Sequence, residues 1–211
     1  MKCIILANGE YGKLDTYDKA VLQADLILCA DGGANYAYKM GVLPSYIIGD
    51  MDSILPEVKD YFLANDVIMK KYPQKKDFTD IQLALSVADE LGTEEIVLLG
   101  TLGKRLDHFL SNLYCGIELA QKGRRIVHYS PECTVYLVTR ELKIEGREGD
   151  IVSVIALSEE ARGVYEEGFD SPLAGAVLEQ KNPYTISNVL ASETGTIGVE
   201  EGVLAVFHYR R

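Results

Sequence analysis

The 211-residue chain has no apolar run near the roughly 20 residues that cross a bilayer as a helix. It opens on a short strand-like run from Lys2 to Leu6, without the longer apolar core and cleavage site of a secretory signal. A cytoplasmic protein with no membrane association is therefore expected. Cysteine is scarce: Cys3, Cys29, Cys115 and Cys133 are scattered, with no C-x-x-C pair. That disfavours a disulfide framework and a Cys/His metal site, and leaves buried reduced thiols as the expectation. Positive charge is in deficit, 21 Lys and Arg against 32 Asp and Glu, for a net charge of -11. A general nucleic-acid binder or an anionic-lipid binder normally carries a basic face, so neither is expected. Three phosphate and hydrolase signatures are also missing. No G-x-x-x-x-G-K-[ST] is present, which excludes a P-loop kinase. No G-x-G-x-x-G follows the first strand, which disfavours a dinucleotide fold, and no G-x-S-x-G elbow supports a hydrolase.

What is present is an ordinary globular composition, 47% apolar and 25% charged, in a chain long enough for one or two domains with a core. Strand and helix signals alternate through the first 130 residues. Apolar runs at 3–7, 26–30, 46–48, 67–69, 96–99 and 125–129 read as strands. Helices are predicted over 18–24, 34–40, 56–64, 79–91 and 107–121. Pro56 suits a first helical turn, Thr79 an N-cap, and Gly92 and Gly123 helix ends. Such alternation implies a parallel sheet covered on both faces. After Pro131 only short β-rich runs follow, at 135–138, 151–156, 176–178, 195–199 and 203–209, separated by turn residues. The predicted fold class is α/β: an N-terminal parallel-sheet α/β domain, 1–130, followed by a smaller all-β, sandwich-like C-terminal domain, 131–211.

Four polar motifs fall just after strands of the first domain. Ligands of open parallel sheets bind at the carboxyl ends of strands, so these motifs would converge on one crevice. The most informative is Gly49-Asp50-Met51-Asp52-Ser53. In an extended backbone, Asp50 and Asp52 at i and i+2 point to one side. They repel there unless a cation intervenes, and a hard divalent ion such as Mg²⁺ prefers oxygen ligands. The pair also reads as a solvated acidic turn. Asp31-Gly32-Gly33 reads as a capped turn, or as glycines that let backbone N–H groups approach phosphate; the two are compatible. In Asp77-Phe78-Thr79-Asp80, the helix dipole stabilises Asp80, and a metal-site role is equally open. Lys70, Lys71, Lys75 and Lys76 form a solvated face or help hold a polyphosphate, Lys76 lying nearest the acids. In Gly103-Lys104-Arg105-Leu106-Asp107-His108, Arg105 can hold phosphate oxygens, and Asp107 can cap a helix or receive a substrate donor. His108 reads as an acid/base or as structural, and His128 and His208 lie in strands.

Together with Thr185-Ile186-Ser187-Asn188, these motifs in this order resemble the thiamine pyrophosphokinase family over nearly the whole chain. The resemblance implies transfer of a diphosphoryl group from ATP to the hydroxyl of thiamine, with AMP leaving. It implies Asp50, Asp52 and Asp80 as Mg²⁺ ligands and, with Arg105 and Asp107, as catalytic residues. Asp31, Gly32, Gly33, Asp77, Thr79, Lys104 and Arg105 would serve the nucleotide. Asp107, Ser187 and Asn188 would serve thiamine, the latter two in the all-β domain. It further implies a homodimer dimerising through that domain. Lys104 and Thr185 stand where the family often has glycine. Two other readings remain at this stage: a metal-dependent nucleotide-sugar transferase using Asp50 and Asp52, and a nucleotide-binding regulatory module without turnover.

Overall fold

The structure, a computed structural model, describes residues 1–211 except Lys75, Lys76 and Lys104. The phosphate contacts expected of Lys76 and Lys104 lie outside the described residues. The chain forms two compact units, Met1–Gly116 with His128–Ser130, and Ile117–Val127 with Pro131–Arg211.

Five strands of the first unit are β1 (Lys2–Leu6), β2 (Leu26–Ala30), β3 (Tyr46–Gly49), β4 (Ile68–Lys71) and β5 (Glu95–Leu99). They lie side by side in the order β5-β1-β2-β3-β4, and all four pairings are parallel. Near-continuous apolar runs are what such a sheet requires, and Cys3 to Leu6 and Ile96, Leu98 and Leu99 are fully buried. Between the strands run α1 (Asp18–Leu22), α2 (Gly33–Lys39), α3 (Pro56–Ala64) and α4 (Asp80–Glu90). Pro56 occupies the first turn of α3. Thr79 closes a full capping box on α4: its hydroxyl accepts from Gln82 N at 3.3 Å, and Gln82 Oε1 accepts from Thr79 N at 2.9 Å.

The helix predicted over 107–121 is instead two, α5 (Leu106–Cys115) and α6 (Ile117–Gln121). Gly116 caps the first and is the last residue of the first unit's main segment. Glycine is a poor helix interior residue, and the continuous apolar pattern across it conceals the break.

The strand β6 (Arg125–Tyr129) carries the boundary between the units at Val127. The second unit then consists of β7 (Cys133–Val138), β8 (Glu141–Glu145), β9 (Ile151–Ala156), β10 (Glu160–Glu167), β11 (Leu173–Glu179), β12 (Asn188–Val189), β13 (Thr194–Gly198) and β14 (Leu204–Tyr209). Antiparallel pairing gives the orders β12-β9-β14-β7 and β11-β10-β13-β8. Val152 and Val154 of β9 and Leu204 and Val206 of β14 share one core with Ile144, Val164, Leu178 and Ile197 from the other sheet. Each such buried side chain is worth about 1.5–3 kcal/mol. Three strands escaped the reading of the sequence, β8, β10 and the two-residue β12. In β8 only Leu142 and Ile144 alternate with charge, and β10 is masked by Glu160, Arg162, Glu166 and Glu167. A buried Asp150–His208 pair, 2.8 Å apart, ties the last strand to the turn before β9, where Asp150 also accepts from the N–H groups of Arg147 and Arg211.

Candidate active site

Parallel pairing puts the carboxyl ends of β1 to β5 on one edge, and the polar motifs of the first unit leave from it. Asp31 follows β2 directly and has φ 42, a left-handed conformation that Asp tolerates better than most residues. Its N–H donates to Ile48 O at 2.8 Å, and its carbonyl accepts from Ala34 N at 3.0 Å, which turns the chain into α2. Gly33 has a packing reason: a Cβ there would stand 2.0 Å from Leu6 O. The start of α2 thus rests on the end of β1.

The acidic loop after β3 does not stay extended, so the premise of a period-two pair is corrected. Met51 has φ 70 and is buried, and the turn folds back so that Asp52 N donates to Asp50 Oδ1 at 3.2 Å. The two carboxylates still converge, through a turn rather than a pleat. Asp52 is braced on both oxygens, by Ser53 Oγ at 2.9 Å and Gln74 Nε2 at 3.0 Å. Asn35 of α2 clamps the loop, donating to Ser53 O at 2.9 Å and accepting from Leu55 N at 3.0 Å.

One oxygen each from Asp31, Asp50 and Asp52 lie within 4.8 Å of one another. Asp80, expected as the third metal ligand, is not within that group, but from the first turn of α4 it approaches Asp31. Its Oδ1 is 3.0 Å, and Asp31 Cβ 2.9 Å, from the point a Cβ on Gly49 would occupy. Gly49 (φ 149) therefore leaves the space in which these two acids meet. Burial holds the Asp31 carboxyl above the usual carboxylate range, and the neighbouring Asp80 and Asp50 push the same way against a hydrogen bond from Ser53. Asp31 Oδ1 is buried with no hydrogen-bond partner among the described residues. A set of carboxylate oxygens, one of them orphaned, fits a hard cation.

The other expected residues are distributed as follows. Gly32 and Gly33 are buried where α2 begins, Asp77 is exposed, and the Thr79 hydroxyl is used by its capping box. Arg105 and Asp107 pair with each other in a two-point contact, Nε to Oδ1 at 2.9 Å and Nη2 to Oδ2 at 2.5 Å. That contact holds the exposed Asp107 carboxyl well below its usual range. His108 is exposed on α5. In the second unit Ser187 has φ 61 and donates its N–H to Ser153 Oγ at 2.9 Å. Thr185 Oγ1 donates to Val154 O at 2.5 Å, so this departure from glycine pins its loop to β9. Gln74 is the brace that motif reasoning missed. It stands alone 22 residues from its partner, with no pattern to mark it.

An acidic site at the carboxyl edge of parallel strands defines the class, an α/β protein whose loops after the strands carry its chemistry. Comparison with known proteins narrows it. Residues 17–128 match the family model described as thiamin pyrophosphokinase, catalytic domain. Thiamine pyrophosphokinase of Bacillus subtilis (strain 168) is 30% identical over 215 residues, covering 97% of each chain. Thiamine pyrophosphokinase 1 of Oryza sativa subsp. japonica is 30% identical over 82% of this chain and 74% of its own. The crystal structure of the Bacillus subtilis thiamine pyrophosphokinase superposes with a TM-score of 0.84 at 25% identity, over 100% of both chains. The chain belongs to the thiamin pyrophosphokinase family. Membership carries thiamine pyrophosphokinase function and makes the chain a kinase-type transferase.

Proposed function

We propose that the chain transfers a diphosphoryl group from ATP to the primary hydroxyl of thiamine, giving thiamine diphosphate and AMP. The observation that carries this reading is the convergence of Asp31, Asp50 and Asp52 within 4.8 Å at the ends of two parallel strands, with Asp80 beside Asp31. Carboxylates alone would repel a triphosphate, so the site makes sense only with a cation. Asp50, Asp52 and Asp80 would hold Mg²⁺, joined by Asp31. When bound, Mg²⁺ supplies neutralisation of polyphosphate charge. Gln74, Ser53 and Asn35 keep the acidic loop in one arrangement, and such positioning is most of what phosphoryl transfer asks of a protein.

In this reading the first unit carries ATP and the second carries thiamine and the contacts of a homodimer. Asp31, Gly32, Gly33, Asp77 and Lys104 serve the nucleotide, and Thr79 acts through its cap on α4. Arg105 meets phosphate, Asp107 meets thiamine or its hydroxyl, and the Ser187–Asn188 segment lies at the thiamine site. The existing Arg105–Asp107 contact couples a phosphate-binding group to a substrate-binding one. The four cysteines are free, in keeping with a reducing cytoplasm, and no helix among the described residues is long and apolar enough to cross a membrane. Nucleotide-sugar transfer loses its support, because it leaves the Arg105–Asp107 and Ser187–Asn188 motifs without a task.

The test is incubation with ATP, Mg²⁺ and thiamine, with AMP and thiamine diphosphate as the readout. Release of ADP in place of AMP would sink diphosphoryl transfer. Tight ATP binding without turnover would favour a regulatory module.

A further inference from the structure

The second unit buries a carboxylate inside its sandwich. Glu166 of β10 is 1% exposed and stands opposite Leu173 of β11 and Ile197 of β13. Its Oε2 accepts from Asn188 Nδ2 at 2.6 Å, while Oε1 is buried without a hydrogen-bond partner among the described residues. Half of this acid therefore has no internal compensation, a destabilising arrangement beside the core residue Ile197. What the acid does have is a hold on one amide.

The orientation of that amide is determined from the backbone. Asn188 Oδ1 accepts from Ser171 N at 3.1 Å and from Val189 N at 2.9 Å. Backbone N–H groups only donate, so the oxygen must face them and the nitrogen must face Glu166. The nitrogen also donates to Ser171 O at 2.9 Å. Both amide protons and both acceptor positions of Asn188 are then engaged within the unit, and nothing remains of its side chain for a ligand. Asn188 instead fastens three segments together: β10, the turn at Ser171, and β12, which pairs with β9. Directly before it, Ser187 is held at φ 61 and exposed, with its N–H on Ser153 Oγ.

We infer that Glu166 is a positioning residue for the organic substrate: through Asn188 it fixes the 185–188 loop so that Ser187 makes the contact, and Asn188 is a brace rather than a ligand-binding group. The inference rests on the reading of this loop as part of the thiamine site. It assigns a role to a buried acid that no motif of the chain includes. Its energetic signature is specific. Replacing the acid by an apolar side chain removes a poorly compensated carboxylate, so stability is kept, while the loop loses its anchor and substrate affinity falls.

Steady-state kinetics on the full-length chain, varying each substrate separately, test this alongside thermal unfolding. Glu166→Leu is expected to unfold no earlier than the parent, to raise KM for thiamine at least tenfold, and to leave KM for ATP within twofold. Glu166→Gln retains an oxygen for Asn188 Nδ2 and is expected to bring KM for thiamine back to within about twofold of the parent. A Glu166→Leu protein that folds with an unchanged KM for thiamine, or in which both KM values rise together, overturns the inference. If Glu166→Leu does not fold, Asn188→Ala decides by the same split between the two KM values. Absence of thiamine-dependent AMP formation in the parent protein would instead remove the functional reading itself, before any variant is made.

Discussion

Asp31 concentrates the chemistry of the site in one side chain. It is buried, left-handed in its backbone, without a hydrogen-bond partner for Oδ1 among the described residues, and crowded by Asp80 and Asp50. Its carboxyl is raised above the usual range, chiefly by burial. The folded state therefore binds a proton more readily than the unfolded state does. The stability this contributes is complete below the unfolded value and is lost as pH rises through the folded one. Asp31→Asn removes that loss. In metal-free buffer its thermal midpoint is expected to exceed the parent's at pH 7, with the gain shrinking toward pH 4. Turnover with Mg²⁺ is expected to fall roughly tenfold or more, about 1.4 kcal/mol of transition-state stabilisation. A variant no more stable than the parent at pH 7 would refute the strain assigned to this carboxylate. The sequence presents Asp31 only as an acid before two glycines. Its membership of the Asp50 and Asp52 group depends on the β2–β3 register, in which Ala30 pairs with Ile48.

At the scale of elements, α4 shows how a cap can serve a site. Thr79 was a candidate for both the N-cap and the nucleotide, and its hydroxyl is committed to the cap. Asp80 is the next residue, so fraying of this turn displaces an acid of the cluster. Thr79→Ala is expected to cost about 1 kcal/mol in denaturant unfolding. It should also lower turnover severalfold, whereas Thr79→Ser should retain both. An alanine variant with full stability and impaired turnover would return Thr79 to the nucleotide. Strands and helices with clean periodicity were legible from the chain. The missed β8 and β10 share a cause. In β10 the side chains of Ala161, Val164 and Glu166 are buried, and a glutamate at a core position looks like surface. The break at Gly116 was hidden because the apolar pattern runs on across it.

At the scale of the molecule, buried titratable groups set opposing responses to pH. His128 is fully buried with Nδ1 2.9 Å from Thr101 Oγ1, and burial pushes it down to about 4. The unfolded state takes up a proton on this histidine near its ordinary value of 6.5 and the folded state does not. Stability is therefore lost as pH falls from 6.5 to about 4, by up to about 3 kcal/mol. Asp31 and Glu166, both raised by burial, act in the opposite direction over the acid range. Urea unfolding at pH 7, 5.5 and 4.5 is expected to show a steeper decline for the parent than for His128→Gln. Equal slopes would show that His128 takes up its proton as readily in the folded state as in the unfolded one.

The alternation of strand and helix, the later change to short β runs, the caps at Pro56 and Thr79, and five motifs in order are properties of neighbouring residues. Periodicity and turn chemistry act over a few positions, so the sequence by itself determined the fold class and the family. It also placed Asp50 and Asp52 together, although by the wrong backbone shape. Only the tertiary structure decided which distant groups meet. It brought Asp31 to that pair and Asp80 to Asp31 across Gly49, set Gln74 on Asp52, closed Arg105 on Asp107 and buried Glu166 against Asn188. Those contacts depend on strand register and on which face of a strand is covered. Charge along a sequence does not reveal either, because an acid on a strand reads the same whether its neighbour is water or a buried amide.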